Sequence, residues 1–389
     1  MRSNNLLIIS NNFPNVDDSY VAEIFVKEQI KYLKNYFQTV YVISPVAYGL
    51  EKLRNTAYRD YQYDNVKVFF PKYLNVPFFF THLRSMWVYL ETKAVLELIE
   101  KEGIDFDLIH AHFTWPSGAV AVELKKSINV PVVITEHTSE TFNKAIESSN
   151  PHFLEAWRSC DVVVRVKNSD INKFNEVGVD LDKVQYIPNG YDNTLFHPID
   201  NTVCRSKLNI PYNKKIILNV ANLYSEVKGH RYLIEAMADI VQKRDDIICY
   251  IVGEGKLKPK LKKMIEKLNL QDFVKLVGSR PHDEIPIWMN ACDVFVLPSL
   301  QESFGIVQIE AMGCGKPVVS TYNGGSEEII ISDDYGFLVE VQNSTELSRK
   351  IISALDKDWD YEAIQRFAKK YSWNNTSNIV QELYSNLSK

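Results

Sequence analysis

Short apolar runs rich in β-branched residues alternate with longer amphipathic segments along most of the chain. In the first half we expect strands at residues 6–10, 40–44, 66–70, 108–111, 132–135, 162–164 and 184–187. In the second half we expect them at residues 216–221, 247–252, 274–277, 294–297 and 318–320. Strands that are apolar along their whole length and separated by helix-length segments are typical of parallel sheets built from βαβ units. The pattern therefore predicts an α/β fold with doubly wound parallel sheets.

The segments between the strands have the spacing of helices with one buried face. Apolar residues recur every three or four positions across residues 233–241 and 257–268, as expected for helices that pack on a sheet. The last stretch, residues 360–389, predicts two more helices with no strand between them.

The βα alternation stops and restarts in the middle of the chain. It restarts after the turn-forming sequence Ile-Pro-Asn-Gly at residues 187–190, which leads into an uneven stretch with two prolines. We predict one domain over residues 1–190, a second over residues 191–365, and a C-terminal helix in residues 366–389 that crosses back to the first domain. Two doubly wound domains joined in this way are expected to face each other across a ligand-binding cleft.

Composition excludes several classes of protein. The chain has 44 Lys and Arg against 49 Asp and Glu, a net charge of -5, so we expect no nucleic-acid partner, which would require a clustered basic surface. Its five cysteines contain no C-x-x-C pair, which favours neither a disulfide framework nor a zinc site. No apolar stretch approaches the roughly 18–20 residues that span a bilayer, and the first residues lack a signal-peptide pattern. We therefore expect a cytoplasmic protein whose membrane contact, if any, is peripheral.

The most informative segment contains a predicted strand end, a polar turn and a helix start. The helix is expected to begin near Gly305 and to end before the Gly and Pro at positions 315 and 317. The backbone N–H groups of Gly305, Ile306 and Val307 would then point out of the helix, where its positive dipole end favours a phosphate. Gly305 allows a ligand to approach the backbone closely.

Two glutamates flank this helix start. Glu302 lies in the turn before it, and Glu310 lies about 7–8 Å along the helix at about 1.5 Å per residue, close enough to accept hydrogen bonds from a sugar attached to that phosphate. Two solvated glutamates on a surface helix would have the same spacing. Spacing alone leaves both interpretations open.

The surrounding sequence resembles a known family. Residues 298–312 read Pro-Ser-x-x-Glu-Ser-Phe-Gly-x-x-x-x-Glu-Ala-Met, which is similar to the donor-site signature of retaining, nucleotide-sugar-dependent glycosyltransferases of family 4. Further segments resemble the family in the same order along nearly the whole chain: residues 13–29, 107–112, 184–196, 251–255, 315–319 and 324–325. The resemblance implies the GT-B fold, in which two Rossmann-like doubly wound domains face each other across a cleft. It also implies that the nucleotide is held mainly by the C-terminal domain and that no catalytic metal or other cofactor is required.

The resemblance also implies roles for individual residues. Glu310 matches the glutamate that binds the ribose hydroxyls, and Glu302 matches the one that contacts hydroxyls of the donor sugar. Lys228 matches the lysine that neutralises the diphosphate, although on general grounds a lone lysine there is more often a solvated helix residue. The other expected donor-binding residues are Gly305, Ile306, Val307, Ser303 and Phe304 at the turn and helix start, together with Asn222 and Arg280.

One position departs from the family pattern. The family usually has an arginine, the second cation for the diphosphate, where this chain has Asn222. An asparagine can donate a hydrogen bond but carries no charge. Either Arg280 or Arg231 supplies the missing charge, or Lys228 and the helix start stabilise the diphosphate alone.

His137 follows a predicted strand and resembles the family histidine that faces the donor sugar from the N-terminal domain. With Glu302 and Lys228 it completes the expected catalytic set. A neutral imidazole could orient a sugar hydroxyl without acting as a base, whereas the alternative is a hydrogen-bonded structural histidine. Its neighbour Glu136 is a weaker candidate for the acceptor side.

Two further features have open interpretations. His110 and His112 have H-x-H spacing, but without an evident third ligand we interpret them as structural or cleft-lining rather than as a metal site. The aromatic segment of residues 76–84, followed by Trp87, could form an acceptor wall, a patch that faces a membrane, or a buried helix start.

These observations lead to one functional hypothesis and two alternatives. We expect a retaining glycosyltransferase that moves a sugar from a UDP- or GDP-sugar to a hydroxyl of a glycan or lipid-linked glycan, in cell-surface polysaccharide biosynthesis. The alternatives are a sugar-nucleotide epimerase with the GT-B fold and a non-catalytic protein that binds nucleotide sugars.

Overall fold

The computed structural model describes residues 4–17, 23–54, 56–76 and 83–387. The chain divides into two compact units, unit 1 with Met1–Pro188 and Trp373–Lys389, and unit 2 with Asn189–Ser372. The predicted boundaries, after residues 190 and 365, differ slightly from this division. Tyr191 donates its N–H to the Tyr371 carbonyl and forms a β-bridge with Ser372, which ties the start of unit 2 to its end.

Unit 1 is built around a mostly parallel sheet. Its strands are β1 (Asn5–Ile9), β2 (Thr39–Ile43), β3 (Val46–Ala47), β4 (Tyr61–Tyr63), β5 (Val66–Phe69), β6 (Lys72–Tyr73), β7 (Leu108–His112), β8 (Val132–Glu136), β9 (Val162–Arg165) and β10 (Val184–Tyr186). Its helices up to residue 188 are α1 (Ile24–Leu33), α2 (Leu50–Arg54), α3 (Arg84–Glu102), α4 (Ala119–Lys125), α5 (Glu140–Glu147), α6 (Pro151–Ser159) and α7 (Lys173–Glu176).

The strand order of the large sheet in unit 1 is β10-β9-β8-β7-β1-β2-β5-β4. Neighbouring strands are parallel except β4 and β5, which are antiparallel, and β3 pairs with β6 in a separate short ladder. In β1, Leu7 and Ile9 belong to one core cluster while Leu6 and Ile8 belong to another. The sheet is therefore covered on both faces, which explains its continuously apolar strands.

Unit 2 repeats this architecture with a smaller sheet. Its strands are β11 (Lys215–Val220), β12 (Ile247–Val252), β13 (Val274–Gly278), β14 (Val294–Leu297), β15 (Val318–Thr321) and β16 (Gly336–Val339). Its helices are α8 (Asn201–Leu208), α9 (His230–Ile240), α10 (Lys258–Lys267), α11 (Ile285–Ala291), α12 (Ile306–Gly313), α13 (Ser344–Asp356) and α14 (Tyr361–Ala368). The described strands are all parallel, in the order β13-β12-β11-β14-β15-β16. Two Rossmann-like units confirm the predicted doubly wound α/β class.

The last described helix is α15 (Trp373–Leu387), which belongs to unit 1. It packs with α1, and Val380, Leu383 and Tyr384 are buried in the core cluster that contains Leu6 and Ile8. Among the described residues, no helix combines the length and the hydropathy needed to cross a membrane.

Candidate functional site

The candidate donor site lies where the strand order of unit 2 reverses. β11 and β14 are neighbours in the sheet, with Ile217 opposite Val294 and Leu218 opposite Phe295. From β11 the sheet continues to β12 on one side, and from β14 it continues to β15 on the other. The loops that follow β11 and β14 therefore diverge from one point at the carboxyl edge, which is where doubly wound sheets bind ligands.

The loop after β11 contains Lys228 and contacts the loop after β14. The Leu300 N–H donates to the Val227 carbonyl at 2.7 Å. Gly229 has φ +68, and a Cβ added there would overlap the Pro298 carbonyl oxygen. Only glycine fits this close approach in the left-handed region. The contact between Gly229 and Pro298 therefore fixes the backbone next to Lys228.

Lys228 and Glu302, which are separated by 74 positions in sequence, form a hydrogen-bonded ion pair. Lys228 Nζ lies 2.7 Å from Glu302 Oε1, and the Ser299 hydroxyl donates to the same oxygen at 2.8 Å. The exposed fractions of the two side chains are 27% and 12%, so the pair is largely shielded from solvent. An ammonium group has three N–H donors, so Lys228 can bind a second anion while it keeps Glu302.

The helix start after Glu302 has the geometry that the sequence predicts. Gly305 has φ +82, and a Cβ there would overlap the Gln308 side-chain amide. The Gln308 N–H already donates to the Gly305 carbonyl at 2.9 Å, so the N–H groups of Gly305, Ile306 and Val307 precede the first intrahelical bond. Glu310 lies in the next turn and is buried. The start of α12 can therefore bind an anion through its backbone N–H groups, and the Glu310 carboxylate lies in the next turn of the same helix.

The two turn residues before the helix differ in burial. Ser303 is half-buried, whereas the Phe304 side chain is buried and its ring packs edge-on against Tyr371 at 5.7 Å between centroids. Phe304 can therefore contact a ligand only through its main chain. Its place in the donor site remains a prediction with that restriction.

Among the described residues, no hydrogen bond or ion pair joins Asn222 or the candidate cation Arg280 to Lys228. Asn222 is exposed, and its side-chain oxygen accepts the Tyr224 N–H at 3.3 Å. Arg280 is exposed, with its Nε 3.9 Å from a Glu284 carboxylate oxygen. These contacts do not bring the Asn222 or Arg280 side chain to the Lys228–Glu302 pair.

The second candidate, Arg231, forms an exposed ion pair one turn along its own helix. Its Nε donates to Glu235 at 2.8 Å, and this hydrogen bond raises the pKa of the guanidinium. The proposal that Arg280 or Arg231 replaces the missing arginine stays a prediction.

A third loop joins the candidate site through residues whose roles sequence reasoning did not identify. The Glu302 N–H donates to the Asn323 carbonyl at 2.9 Å, and Asn323 Oδ1 accepts the N–H groups of Gly325 and Ser326 at 3.0 Å each. The Glu327 carboxylate accepts the Gly324 N–H at 2.9 and 3.0 Å. The Gly-Gly pair marked this loop in the sequence, but only the contact with Glu302 links Asn323 to the site.

His230 lies directly after the Lys228 turn, at the first position of α9. Its ring is buried, and neither ring nitrogen has a hydrogen-bond partner among the described residues. Burial, followed by repulsion from Lys228, lowers its pKa to about 4. His230 is therefore neutral near pH 7 and adds no charge to the candidate site.

In unit 1, His137 follows β8 and lies among aromatic rings. Its Nε2 is 3.0 Å from His112 Nδ1, and the two rings stack at 5.3 Å. Glu136 is buried and accepts hydrogen bonds from the N–H groups of Thr114 at 3.2 Å and Thr138 at 2.6 Å. Its carboxylate therefore joins the loops that follow β7 and β8, and an acceptor-side role for Glu136 stays a prediction.

Both ring nitrogens of His110, interpreted from the sequence as structural or cleft-lining, contact other side chains of unit 1. Its Nδ1 contacts the Tyr384 hydroxyl, and its Nε2 lies 2.7 Å from the Thr135 hydroxyl. Both nitrogens are thus engaged, and burial lowers the pKa of the ring to about 3. These bonds occupy the lone pair that a metal would need.

The aromatic segment is described only in part, because residues 77–82 lie outside the described residues. Trp87, in α3, donates its indole N–H to the Tyr73 hydroxyl and to Glu91 Oε2 at 2.9 Å each. Arg84 lies over the Trp115 ring at 5.8 Å. A groove of about 240 Å³ between α3, α4 and α6 is lined partly by Trp115 and His152.

Glu91 is a buried carboxylate at the same end of α3. Asn11 donates its side-chain N–H to Glu91 Oε1 at 2.7 Å, and the Asn11 side-chain oxygen accepts from the Ser117 hydroxyl at 2.6 Å. These bonds connect the loops after β1 and β7, between which the strand order of unit 1 reverses. Complete burial raises the pKa of Glu91 to about 7, and its hydrogen bonds only partly offset that effect.

Comparison with proteins of known structure identifies the fold. Sucrose-phosphate synthase from Thermosynechococcus elongatus aligns with a TM-score of 0.80 at 21% identity, covering 99% of both chains. A crystal structure of Anabaena HepE in complex with UDP-glucose aligns with a TM-score of 0.75 at 23% identity, covering 98% of this chain and 99% of that chain. The two Rossmann-like units together have the GT-B fold.

Comparison of sequences identifies the family. A family model described as Glycosyl transferases group 1 matches residues 200–371, and one described as Glycosyltransferase Family 4 matches residues 22–195. A D-inositol 3-phosphate glycosyltransferase of Corynebacterium urealyticum is 30% identical over 321 residues, which cover 76% of this chain and 75% of that protein. The resemblance found in the sequence is confirmed, and the chain belongs to the family 4 glycosyltransferases.

Proposed function

We propose that this glycosyltransferase moves a hexose from a nucleotide diphosphate sugar to a hydroxyl group with retention of anomeric configuration. The observation that carries the proposal is the shielded Lys228–Glu302 ion pair beside the start of α12. The pair presents an ammonium and a carboxylate next to backbone N–H groups. These are the groups that a diphosphate joined to a sugar requires.

The roles of these groups follow from their chemistry. Lys228 and the N–H groups at the start of α12 stabilise the diphosphate, whose charge grows as the glycosidic bond breaks. Glu310 accepts hydrogen bonds from the ribose hydroxyls, and Glu302 accepts them from the donor sugar. HepE, which shares the fold, has been crystallised in complex with UDP-glucose, and this supports a UDP-sugar as the first donor to test.

In the proposed reaction, the acceptor hydroxyl attacks C1 of the sugar on the same face from which the leaving diphosphate departs. The bond between C1 and the diphosphate oxygen breaks, the bond between C1 and the acceptor oxygen forms, and the acceptor proton passes to the departing diphosphate. Glu302 orients the sugar and forms no covalent bond with it, while His137 orients a sugar hydroxyl. Lys228 and the helix start supply the charge stabilisation, so the proposed reaction requires no metal ion.

We extend the proposal to the acceptor and the location of the enzyme. The acceptor is a hydroxyl of a glycan or lipid-linked glycan used in cell-surface polysaccharide biosynthesis. The reaction takes place in the cytoplasm, with peripheral contact to the inner face of the membrane when the acceptor is lipid-linked. The support is the family membership, together with the aromatic residues Trp87 and Trp115 in unit 1.

A donor screen followed by a product assay tests the proposal. A UDP- or GDP-sugar at 100 times its Kd is expected to stabilise the protein by about 2.7 kcal/mol in thermal unfolding. Labelled donor with glycan acceptors is expected to give free nucleotide diphosphate and a glycosylated product with the donor's anomeric configuration. An isomerised nucleotide sugar would indicate an epimerase, and binding without any product would indicate a sensor. Absence of stabilisation by every donor would contradict the donor site.

A further inference from the structure

Three basic side chains of unit 1 surround a single buried carboxylate. Asp170 is buried, and its Oδ2 accepts hydrogen bonds from Arg165 Nη2 at 2.6 Å and from Arg165 Nε at 3.1 Å. Its Oδ1 lies 2.8 Å from Lys173 Nζ and 3.6 Å from Lys167 Nζ. Because both ammonium groups pair with the same oxygen, Asp170 holds Lys167 and Lys173 side by side.

The cluster lies at the carboxyl edge of the large sheet of unit 1. Arg165 is the last residue of β9, Lys167 follows two positions later, and Lys173 begins α7. β9 is next to β8, which His137 follows, and β8 is next to β7. At a strand spacing of about 4.8 Å, the cluster is within about 15 Å of the point between β7 and β1 where the strand order reverses. It therefore lies along the edge at which doubly wound sheets bind ligands.

Two of the three cations are already engaged with the protein. Arg165 is fully buried, and its Nη1 donates to the Glu136 carbonyl at 2.8 Å in addition to its bonds with Asp170. Lys173 Nζ also donates to Asn143 Oδ1 at 3.0 Å, and its side chain is 35% exposed. An ammonium group has three N–H donors, so Lys173 keeps one for an outside ligand, whereas Arg165 serves the fold.

Lys167 has the least complete set of partners. Its side chain is only 12% exposed, yet 3.6 Å from Asp170 is too long for a hydrogen bond. Its Nζ donates no hydrogen bond to any residue that the structure describes. The same atom is not one of those that packing closes off from solvent, so its N–H groups are open to a ligand. Lysines are seldom so deeply buried without full pairing, and an anion would complete the pairing of Lys167.

The charge of the cluster favours a phosphate over a single carboxylate. Within the described ranges, neither Lys167 nor Lys173 pairs with any carboxylate except that of Asp170. The Glu136 carboxylate, on the neighbouring strand, is occupied by backbone N–H groups. A phosphate monoester carries about −1.5 to −2 charges at pH 7 and has three acceptor oxygens, so it can accept from both ammonium groups. A carboxylate brings one charge and two oxygens.

We propose that Lys167 and Lys173 form a phosphate-binding site in unit 1, in which Asp170 is the positioning residue that holds both ammonium groups. The inference rests on the proposed function for the identity of the ligand, because it assigns the phosphate to the acceptor. The acceptor class then narrows to glycans that carry a phosphate, either as a substituent of the glycan or in the linkage to a lipid.

Inorganic phosphate tests the site without turnover. The melting temperature of each variant is measured against phosphate concentration and in sodium chloride of equal ionic strength, so the general stabilisation by phosphate cancels between variants. All variants also contain Lys228→Met, which weakens binding at the donor site. Lys167→Met is expected to weaken phosphate binding about ten-fold, as for the loss of one charge-assisted hydrogen bond. Lys167→Arg keeps the charge and should retain most of the binding.

Lys125→Met is the matched control for Lys167→Met. Lys125 Nζ lies 2.7 Å from the Asp161 carboxylate, and its side chain is 27% exposed. Asp161 directly precedes β9, so this pair lies at the opposite edge of the sheet and its loss should not change phosphate binding. Equal phosphate affinity in Lys167→Met and Lys125→Met would overturn the inference. A loss in Lys167→Met that is as large for acetate as for phosphate would overturn the assignment to phosphate.

Kinetics connect the site to the acceptor. With an acceptor that carries a phosphate, Lys167→Met is expected to raise the acceptor KM about ten-fold and to leave kcat nearly unchanged, because the phosphate is bound equally in the ground and transition states. Preference for a glycan linked to a lipid through diphosphate would place the phosphate in the linkage, and preference for a soluble phosphorylated glycan would place it on the sugar. A dephosphorylated acceptor used as efficiently as its phosphorylated counterpart would contradict the assignment.

The two proposals fail in different ways. If the protein transfers no sugar, the proposed function fails, while the melting temperatures in phosphate still test the site at Lys167 and Lys173. If it transfers sugar while Lys167→Met binds phosphate as tightly as its Lys167 parent, only the inference about the phosphate site fails.

Discussion

Lys228 Nζ lies 2.7 Å from Glu302 Oε1, and this contact joins the loops that follow β11 and β14. The Ser299 hydroxyl donates to the same oxygen at 2.8 Å, which orients the carboxylate for the pair. The two residues predicted to bind adjacent parts of the donor, the diphosphate and the sugar, therefore hold each other in place.

Replacing the lysine tests its role in stabilising the diphosphate. We expect Lys228→Met to lower kcat by about 10²–10³-fold, the usual effect of removing one preorganised group that stabilises developing negative charge, and to weaken UDP binding in calorimetry. Lys126→Met is the matched control, because Lys126 Nζ also lies 2.7 Å from a carboxylate, that of Glu123, and both of these side chains are exposed. A kcat close to that of the wild type in Lys228→Met would contradict the assignment.

Replacing Glu302 tests whether it orients the sugar or attacks it. Glu302→Gln keeps the shape of the side chain and is expected to lower kcat at least about ten-fold, because a neutral amide holds sugar hydroxyls less strongly than a carboxylate. Glu362→Gln, at an exposed carboxylate 3.4 Å from Arg366, should have no effect.

Mass spectrometry tests the alternative that Glu302 forms a covalent bond with the sugar. Wild-type protein quenched during turnover is expected to show an unchanged intact mass. A mass increase of one sugar located on Glu302 would mean that the carboxylate is a nucleophile, as in retaining glycosidases, and would refute the proposed mechanism.

The close approach of Gly229 to Pro298 predicts a stability effect. In Gly229→Ala the new Cβ would overlap a carbonyl oxygen at φ +68, whereas in Gly103→Ala it would meet no atom of the described residues within 4 Å at φ +59. We expect Gly103→Ala to cost about 1 kcal/mol of unfolding free energy from φ strain alone, and Gly229→Ala about 2–4 kcal/mol because the backbone must also shift.

The same pair of variants should differ in donor binding. Lys228 precedes Gly229, so the shift is expected to raise the donor KM in Gly229→Ala and not in Gly103→Ala. Urea unfolding measures the stabilities. Equal losses in the two variants would show that the contact with Pro298 is not tight.

Glu91 predicts a pH dependence of stability. Burial raises its pKa from its ordinary value of 4.5 to about 7. Between these values the folded state binds a proton that the unfolded state has released, so stability falls as pH rises through this window, by up to about 1.4 kcal/mol per pH unit. Below pH 4.5 the contribution is fully present, and above about pH 7 it is lost.

Removing this carboxylate should flatten the dependence. Glu91→Gln cannot titrate, so its unfolding free energy relative to the wild type is expected to rise by about 2–3 kcal/mol from pH 4.5 to pH 7.5. Glu100→Gln, at an exposed position of the same helix, should follow the wild type throughout. Parallel stability curves for Glu91→Gln and the wild type would show that Glu91 titrates normally.

Most of the fold could be predicted because buried parallel strands are apolar along their whole length. β14 was predicted with its observed bounds, Val294–Leu297, since each of its residues is buried. The strands missed were short or lay at a sheet edge: β3, β4, β6 and β16. A two-residue strand such as Lys72–Tyr73 leaves no periodicity to detect.

The candidate site was predictable only in part. The distance from Glu302 to the helix start is local and follows from spacing. The contact between Lys228 and Glu302 depends on β11 and β14 being neighbours in the sheet, which no local pattern encodes. The burial of the Phe304 ring and the contact between His112 and His137 likewise arise from packing between elements distant in sequence.

The departure at Asn222 gives a prediction of increased binding. The family arginine at this position would add a second cation beside the diphosphate, so Asn222→Arg is expected to tighten UDP binding about ten-fold, as for a gained charge-assisted hydrogen bond. Asn222→Gln controls for side-chain length, and the gain should shrink as salt screens the new charge.

If instead Arg280 leaves its position 3.9 Å from Glu284 to bind the diphosphate, Arg280→Met weakens UDP binding and Asn222→Arg restores it. Unchanged UDP affinity in both variants would mean that Lys228 and the start of α12 stabilise the diphosphate alone.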